Sequence, residues 1–249
     1  MSAVITALPE EAFWLRRQLR GLRRLSGVAC DVVTGQLGTL PLVQAVTGDG
    51  PHNAAAGLSA LLQALPVREL IVAGVSGALD QELQLRTLLV GEQVFDEGGR
   101  VLGASESLLA AARRATSARP AVLLSAQQIA DSAREKQRLR QLIQPCARPA
   151  AVDLESAAYA SLAHAAGIPW LALRAVSDTA DEALPAILNR CRDARGGVSR
   201  ARVAFGVLAD PGALPALLAL RQRIRSLSAL LGRAAGAVLL AGCAGAPPG

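Results

Sequence analysis

Lysine is almost missing from this chain. Lys136 is the only one, so nearly all of the positive charge sits on arginine. There is also no glycine-rich loop followed by Lys-Ser or Lys-Thr, which excludes a P-loop. Aromatic residues make up 2% of the 249 positions. That leaves no platform for stacking nucleic acid bases, and it gives the core to Ala, Leu and Val. Histidine occurs twice, and Cys30, Cys146, Cys191 and Cys243 form no C-x-x-C pair. No metal site is expected from such a set, and the thiols read as reduced, in a cytosolic setting. The N-terminus lacks a basic region followed by an apolar stretch, so no signal peptide is expected. No apolar run is read as reaching the roughly 18–20 residues of a membrane span. The expected location is therefore the cytoplasm.

What is plentiful is apolar. Hydrophobic residues make up 51% and charged residues 18%, ample for a buried core. The net charge of +6 has two readings. One is a genome whose codons favour arginine. The other is a surface that meets phosphate, nucleic acid or anionic lipid. No motif supports nucleic acid as a partner.

Along the chain, strands alternate with helices. Ser2 to Leu8 is a buried strand, and Glu10 to Leu19 a helix started by Pro9 with Phe13 and Trp14 turned inward. Val28 to Thr34 and Leu40 to Thr47 form a hairpin, so the sheet is mixed. Further strands are expected at Leu70 to Ala73, Leu88 to Phe95, Ala121 to Leu124, Ala150 to Asp153 and Trp170 to Val176. Helices are expected at Asn53 to Leu65, Ser105 to Ser117, Ala133 to Ile143, Glu155 to Ala166, Val198 to Leu208 and Leu214 to Leu231. The pattern implies an α/β fold, helices packed on both faces of one central sheet. Residues 1–233 read as a single domain, and 234–249 as an apolar, flexible C-terminal tail.

In such a sheet, ligands bind beyond the carboxyl ends of the strands. Glu10 and Glu11, Gly48 to Gly50, Ser76, Asp153 with Glu155, and Ser177-Asp178 all fall at strand ends. Each carboxylate also has a plainer reading, as a helix-start residue favoured by the dipole or as a turn residue. Their shared placement is what points to a pocket.

Three segments carry a resemblance. Ala151-Val152-Asp153-Leu154-Glu155-Ser156 resembles the acidic Met-Glu signature of the purine nucleoside phosphorylase and uridine phosphorylase superfamily. Leu173-Arg174-Ala175-Val176-Ser177-Asp178 is similar to its Arg-x-x-Ser-Asp element, and Ala7-Leu8-Pro9-Glu10-Glu11 to the Glu-rich turn of its nucleosidase branch. Asp178-Thr179-Ala180-Asp181-Glu182 and Glu135-Lys136-x-x-Leu139 resemble the hopanoid-associated group, whose members are linked to adenosylhopane. The resemblance implies a three-layer sandwich around a mixed sheet and cleavage of the N-glycosidic bond of an adenine nucleoside.

It also implies roles. Asp178 would protonate purine N7, and Glu11 would activate the attacking water. Glu155 would hold the ribose hydroxyls, with Leu154 against the sugar. Asp153, Ser76, Ser177, Gly48 and Gly50 would complete the substrate site, and the main chain at Ile129 and Ala130 would meet the base edge. An aromatic that often stacks on the base is replaced by Ile129. Leu85-Arg86-Thr87-Leu88 stands where a Gly-Asp pair usually precedes the strand. No cofactor is expected, although inorganic phosphate stays open as a co-substrate. Ile71-Val72-Ala73 lacks the cation that phosphorylases often carry before the glycine loop, which favours water. A homo-oligomer is implied as well. Arg16, Arg17, Arg20, Arg23 and Arg24, with Arg221, Arg223 and Arg225, read either as ordinary solvated faces or as Arg-rich helices resting peripherally on the inner membrane.

Overall fold

The computed structural model describes residues 1–144, 146–193, 197–198 and 211–244. The strands are β1 (Ser2–Thr6), β2 (Arg20–Leu25), β3 (Asp31–Leu37), β4 (Leu40–Val46), β5 (Glu69–Ala78), β6 (Leu88–Asp96), β7 (Val101–Gly103), β8 (Arg119–Ser125), β9 (Ala150–Asp153) and β10 (Trp170–Asp178). The helices are α1 (Pro9–Gln18), α2 (Pro51–Ala64), α3 (Glu106–Ala115), α4 (Ala133–Leu142), α5 (Ser156–Ala165), the single turn α6 (Ile187–Arg190) and α7 (Leu214–Ala244). The helix expected from Val198 to Leu208 lies, beyond Val198, outside the described residues, as do residues 245–249.

One mixed sheet runs β2-β3-β4-β1-β5 and then curls, because β5 pairs with both β9 and β10. The path β5-β10-β6-β8-β9 returns to β5, so this half of the sheet closes on itself. Side chains alternate between its two faces. Ala3 and Ile5 of β1 join Leu58 and Leu61 of α2 and Tyr159 of α5 on one side. Val4 joins Leu15 of α1, Leu108 of α3 and Leu227, Leu231 and Val238 of α7 on the other. The expected helix-sheet-helix layering is what forms.

Four local expectations change. First, α1 turns Glu11, Ala12 and Leu15 inward. Phe13 and Trp14 are half-buried instead, covered by arginines of α7: the Arg225 guanidinium lies 4.1 Å from the Phe13 ring centre and Arg233 lies 5.5 Å from that of Trp14. Second, Arg20, Arg23 and Arg24 sit on the exposed edge strand β2, not on a helix. Third, residues 234–244 are no flexible tail. They continue α7, where Ala235, Val238 and Leu239 are fully buried, because Gly232 and Gly236 let the helix lie directly against Trp14 and Leu37. Fourth, α7 is long and apolar enough to cross a membrane by length and composition, with half of its most apolar window buried in the fold. The sequence reading missed it because arginines interrupt the run.

Arg86 adopts φ +67° in an exposed turn before β6, a left-handed conformation that costs an L-residue about 1–2 kcal/mol. This is the turn where the resemblance places a glycine. Replacing Arg86 with glycine is expected to raise stability by up to about 1 kcal/mol, after the larger unfolded-state entropy of glycine is subtracted. Urea denaturation would measure it, and a lower midpoint for Arg86→Gly would refute the strain argument.

Candidate active site

The carboxyl ends of β1, β4, β5, β9 and β10 open into one cavity of about 640 Å³. Glu11, Gly48, Ser76, Ile129, Asp153, Leu154, Glu155, Ser177 and Asp178 all line it. Three acids distant along the chain are therefore brought together. The strand β9 delivers Asp153 and Glu155 because Val152 pairs with Gly77, side by side with the end of β5. The β10 strand delivers Asp178 through a register shift between Val176 and Asp178.

Each acid is held differently. Glu11 folds back over the start of its own helix. Its Oε2 accepts from the Ala7 and Leu8 amides at 3.1 and 2.9 Å, and its Oε1 from Val75 N at 2.9 Å. A carboxylate oxygen accepts two bonds, so Oε1 keeps one acceptor site. Burial pushes the Glu11 pKa up, opposed by the Arg174 charge and those three amides. Glu155 accepts from Gly50 N at 2.7 Å through Oε1. Burial, then the neighbouring Asp153 charge, push it up to about 8, against the pull of Arg174.

Beneath both acids lies Arg174, 1% exposed. Its Nε donates to Asp153 Oδ2 at 2.7 Å and its Nη2 to Ser156 Oγ at 2.8 Å. Gly74 makes room for it, since a Cβ there would collide with the guanidinium and lie 2.9 Å from Glu11 Oε1. Asp153 is spent on this scaffold: Ser125 Oγ donates to it at 2.7 Å, and both the Ser156 amide and hydroxyl bond to it. Its part is to seat Arg174.

Asp178 is 2% exposed and accepts at both oxygens. Ser177 Oγ lies 2.6 Å from Oδ1, and Lys136 Nζ lies 2.6 Å from Oδ2. Gly77 is required beside it, because a Cβ there would lie 2.7 Å from Oδ2. The Ser76 hydroxyl is buried at the cavity wall with no hydrogen-bond partner among the described residues.

Other expected site residues fall elsewhere. Gly50, with φ +87°, serves through its amide to Glu155 rather than by lining the cavity. The Ile129 N–H donates to the Asn189 side-chain oxygen at 3.0 Å and its C=O accepts from the Asn189 NH₂ at 2.8 Å, which leaves the main chain one acceptor site on the carbonyl and no donor. Ile129 lines the cavity. Ala130 lines a smaller adjoining recess of about 70 Å³ with Gly77, Ile129, Val152, Leu154, Leu184 and Asp178. Its walls are mostly aliphatic, with Gln128, Asp153 and Asp178 as the polar lining. Arg174 and Lys136 went unassigned in the sequence reading. For Arg174 the signal was an ionisable residue in an otherwise apolar strand, which marks either a buried ion pair or a site; Lys136, among the charges of α4, gave no such signal.

The wall that α7 and residues 184–188 give the cavity is largely apolar. Leu184, Leu188, Leu217, Leu220 and Ile224 line it, the last three from α7. The arginines of α7 are engaged within the fold: Arg221 pairs with Glu10 at 2.9 Å, and Arg223 with Glu182 at 2.6 Å and the Ser177 carbonyl at 2.8 Å.

A profile of the phosphorylase superfamily matches residues 2–200. The chain belongs to the phosphorylase superfamily. Membership places it among enzymes of the nucleoside phosphorylase type. Among solved structures it is similar to the 5'-methylthioadenosine/S-adenosylhomocysteine nucleosidase of Neisseria meningitidis in complex with methylthio-immucillin-A. That protein is 20% identical, with 96% of this chain and 97% of the other covered, at a TM-score of 0.75. Futalosine hydrolase of Helicobacter pylori is 17% identical, with 95% and 96% covered, at 0.74. The S-adenosylhomocysteine nucleosidase of Streptococcus pyogenes, in complex with 5-methylthiotubericidin, is 17% identical, with 99% and 97% covered, at 0.73. These superfamily structures share its fold.

Proposed function

We propose that this enzyme hydrolyses the N-glycosidic bond of an adenine nucleoside whose 5' substituent is apolar. The observation that carries the reading is the convergence of Glu11, Glu155 and Asp178 on one cavity with an aliphatic recess at Asp178. Stretching a C–N glycosidic bond leaves cationic character on the sugar, much as in O-glycoside cleavage. Glu155, amide-bonded at one oxygen, has its other oxygen for the ribose hydroxyls and the developing cation. Asp178 faces the leaving base and assists N7. Glu11 Oε1 takes the proton of a water that the unpartnered Ser76 hydroxyl helps to seat.

Water is favoured over phosphate on electrostatic grounds. Glu11, Asp49, Asp153, Glu155 and Asp178 all face the cavity, and Arg221, its one cationic lining residue among those described, is paired with Glu10. Asp153 and Asp178 are balanced by Arg174 and Lys136, so what disfavours a phosphate dianion is that no unpaired cation is left among the described lining residues to receive it. The apolar outer wall from α7 supports a 5' group larger than a hydroxyl, and a hydrocarbon such as that of adenosylhopane fits its chemistry. Leu214 and Leu218, exposed on α7 close to that mouth, would then touch the bilayer holding the substrate, with Arg20, Arg23 and Arg24 on the anionic surface. Enzyme from the cytoplasm would meet it there peripherally, as a homo-oligomer.

The test is product analysis on adenosine, methylthioadenosine and a lipid-linked adenosine in anionic vesicles, with and without phosphate. Free ribose sugar plus adenine, independent of phosphate and fastest for the apolar 5' groups, is expected. Ribose-1-phosphate as the sugar product would refute hydrolysis. A preference for adenosine would refute the apolar subsite, and lipid-substrate turnover unaffected by salt would refute the charged membrane contact.

A further inference from the structure

Lys136 is the chain's single lysine, and its side chain is completely buried. It projects from α4, and its ammonium donates to Asp178 Oδ2 at 2.6 Å, to the Thr179 carbonyl at 2.6 Å and to the Glu182 carbonyl at 2.9 Å. An ammonium has three protons, so every one is placed. Removing this charge from water is tolerated only because of the carboxylate and carbonyls around it. The arrangement clamps the 179–182 segment, but pinning alone does not call for an ammonium. The neighbouring Ser177 hydroxyl already orients Asp178 at Oδ1. What Lys136 adds is a proton. In the ion pair Asp178 is a carboxylate, which has none to give to a leaving purine.

We infer that Lys136 is the positioning residue that stores the proton delivered to the leaving base through Asp178. The inference rests on the glycosidic reading above. As the C1'–N9 bond breaks, its electron pair moves onto the purine; an N–H bond of Lys136 Nζ breaks, its proton passes to Asp178 and from Asp178 to N7, so Asp178 is a carboxylate before and after. The purine leaves neutral, and Lys136 is left as an amine that still donates to the two carbonyls. The attacking water forms the new C1'–O bond and gives its proton to Glu11. The protein's proton count is unchanged, and exchange with solvent on product release resets Lys136 and Glu11.

The test compares two substrates in Lys136→Met: the adenine nucleoside that wild type turns over best, and its N7-methylated cation, which leaves without accepting a proton. Kcat on the ordinary nucleoside is expected to fall about 10²–10³-fold, while the methylated substrate stays within about threefold of wild type. Equal losses on both would reduce Lys136 to a structural pin and overturn the inference, as would unchanged turnover of the ordinary nucleoside. Should Lys136→Met not fold, Lys136→Gln replaces it. Its amide still donates to Asp178 but has no proton to transfer, and the same split between substrates is expected. Absence of adenine release by wild type from either substrate would instead refute the glycosidic reading itself, a result the variants cannot mimic.

Discussion

Asp178→Asn is expected to keep the fold and to lower kcat on an adenine nucleoside by about three orders of magnitude, roughly 4 kcal/mol of transition-state stabilisation. The fold survives because the asparagine amide matches both neighbours. Its carbonyl oxygen can accept from Lys136 Nζ, where Oδ2 now does at 2.6 Å, and its NH₂ can donate to Ser177 Oγ, which has lone pairs free. A buried ion pair becomes an ion–dipole contact, so some stability is lost, but no buried donor is orphaned. Chemistry fails for a different reason. An amide can form a hydrogen bond with purine N7 but cannot pass it a proton. KM is therefore expected to change little while kcat collapses. Circular dichroism and steady-state kinetics would check the two halves separately. Wild-type kcat in a folded variant would remove Asp178 from the reaction.

Much of this site was legible because chemistry-bearing residues stood at strand ends, where backbone geometry alone forces them towards one rim. Glu11, Glu155 and Asp178 needed only strand assignment and the rule that strands of an α/β sheet point their carboxyl ends together. What could not be read was how each acid is partnered. Arg174 lies in the middle of β10 among Leu173 and Ala175, and only the pairing of β10 with β5 shows that it passes over Gly74 to reach Asp153. Lys136 looks, in sequence, like one more charge on the solvated face of α4. Its burial depends on how α4 meets the loop after β10, a contact between segments about forty residues apart. At Ile129 the sequence did not show that Asn189, a long way down the chain, takes the main-chain N–H and one acceptor site of the carbonyl. The tail reading failed through composition: small and apolar residues suit a disordered end, yet they equally suit a helix that must lie close to α1, and packing decides between the two.

The raised Glu155 pKa makes that residue a point where stability and activity oppose one another. Its folded-state value of about 8 lies above the ordinary 4.5. For an acid shifted upward, folding favours the protonated form. Its contribution is therefore whole below the unfolded value and is lost as pH climbs through the folded one, at up to about 1.4 kcal/mol per unit. Glu11 is shifted in the same direction by its burial and adds to the slope. Wild type should thus lose stability between about pH 4.5 and 8. Glu155→Gln removes one of the two groups: the amide oxygen still accepts from Gly50, nothing ionises, and the variant is expected to melt above wild type at pH 9 and close to it at pH 5. The same substitution removes the anion that would sit beside the sugar cation, so kcat is expected to fall about 10²–10³-fold. Wild-type kcat/KM should rise with pH and level off near 8, and the variant should lack that limb. Calorimetry across pH 5–9 and a pH–rate profile read the two effects independently. A melting curve for Glu155→Gln that tracks wild type at pH 9 would mean Glu155 is already ionised at neutral pH, and a surviving limb near 8 would assign that titration to another group.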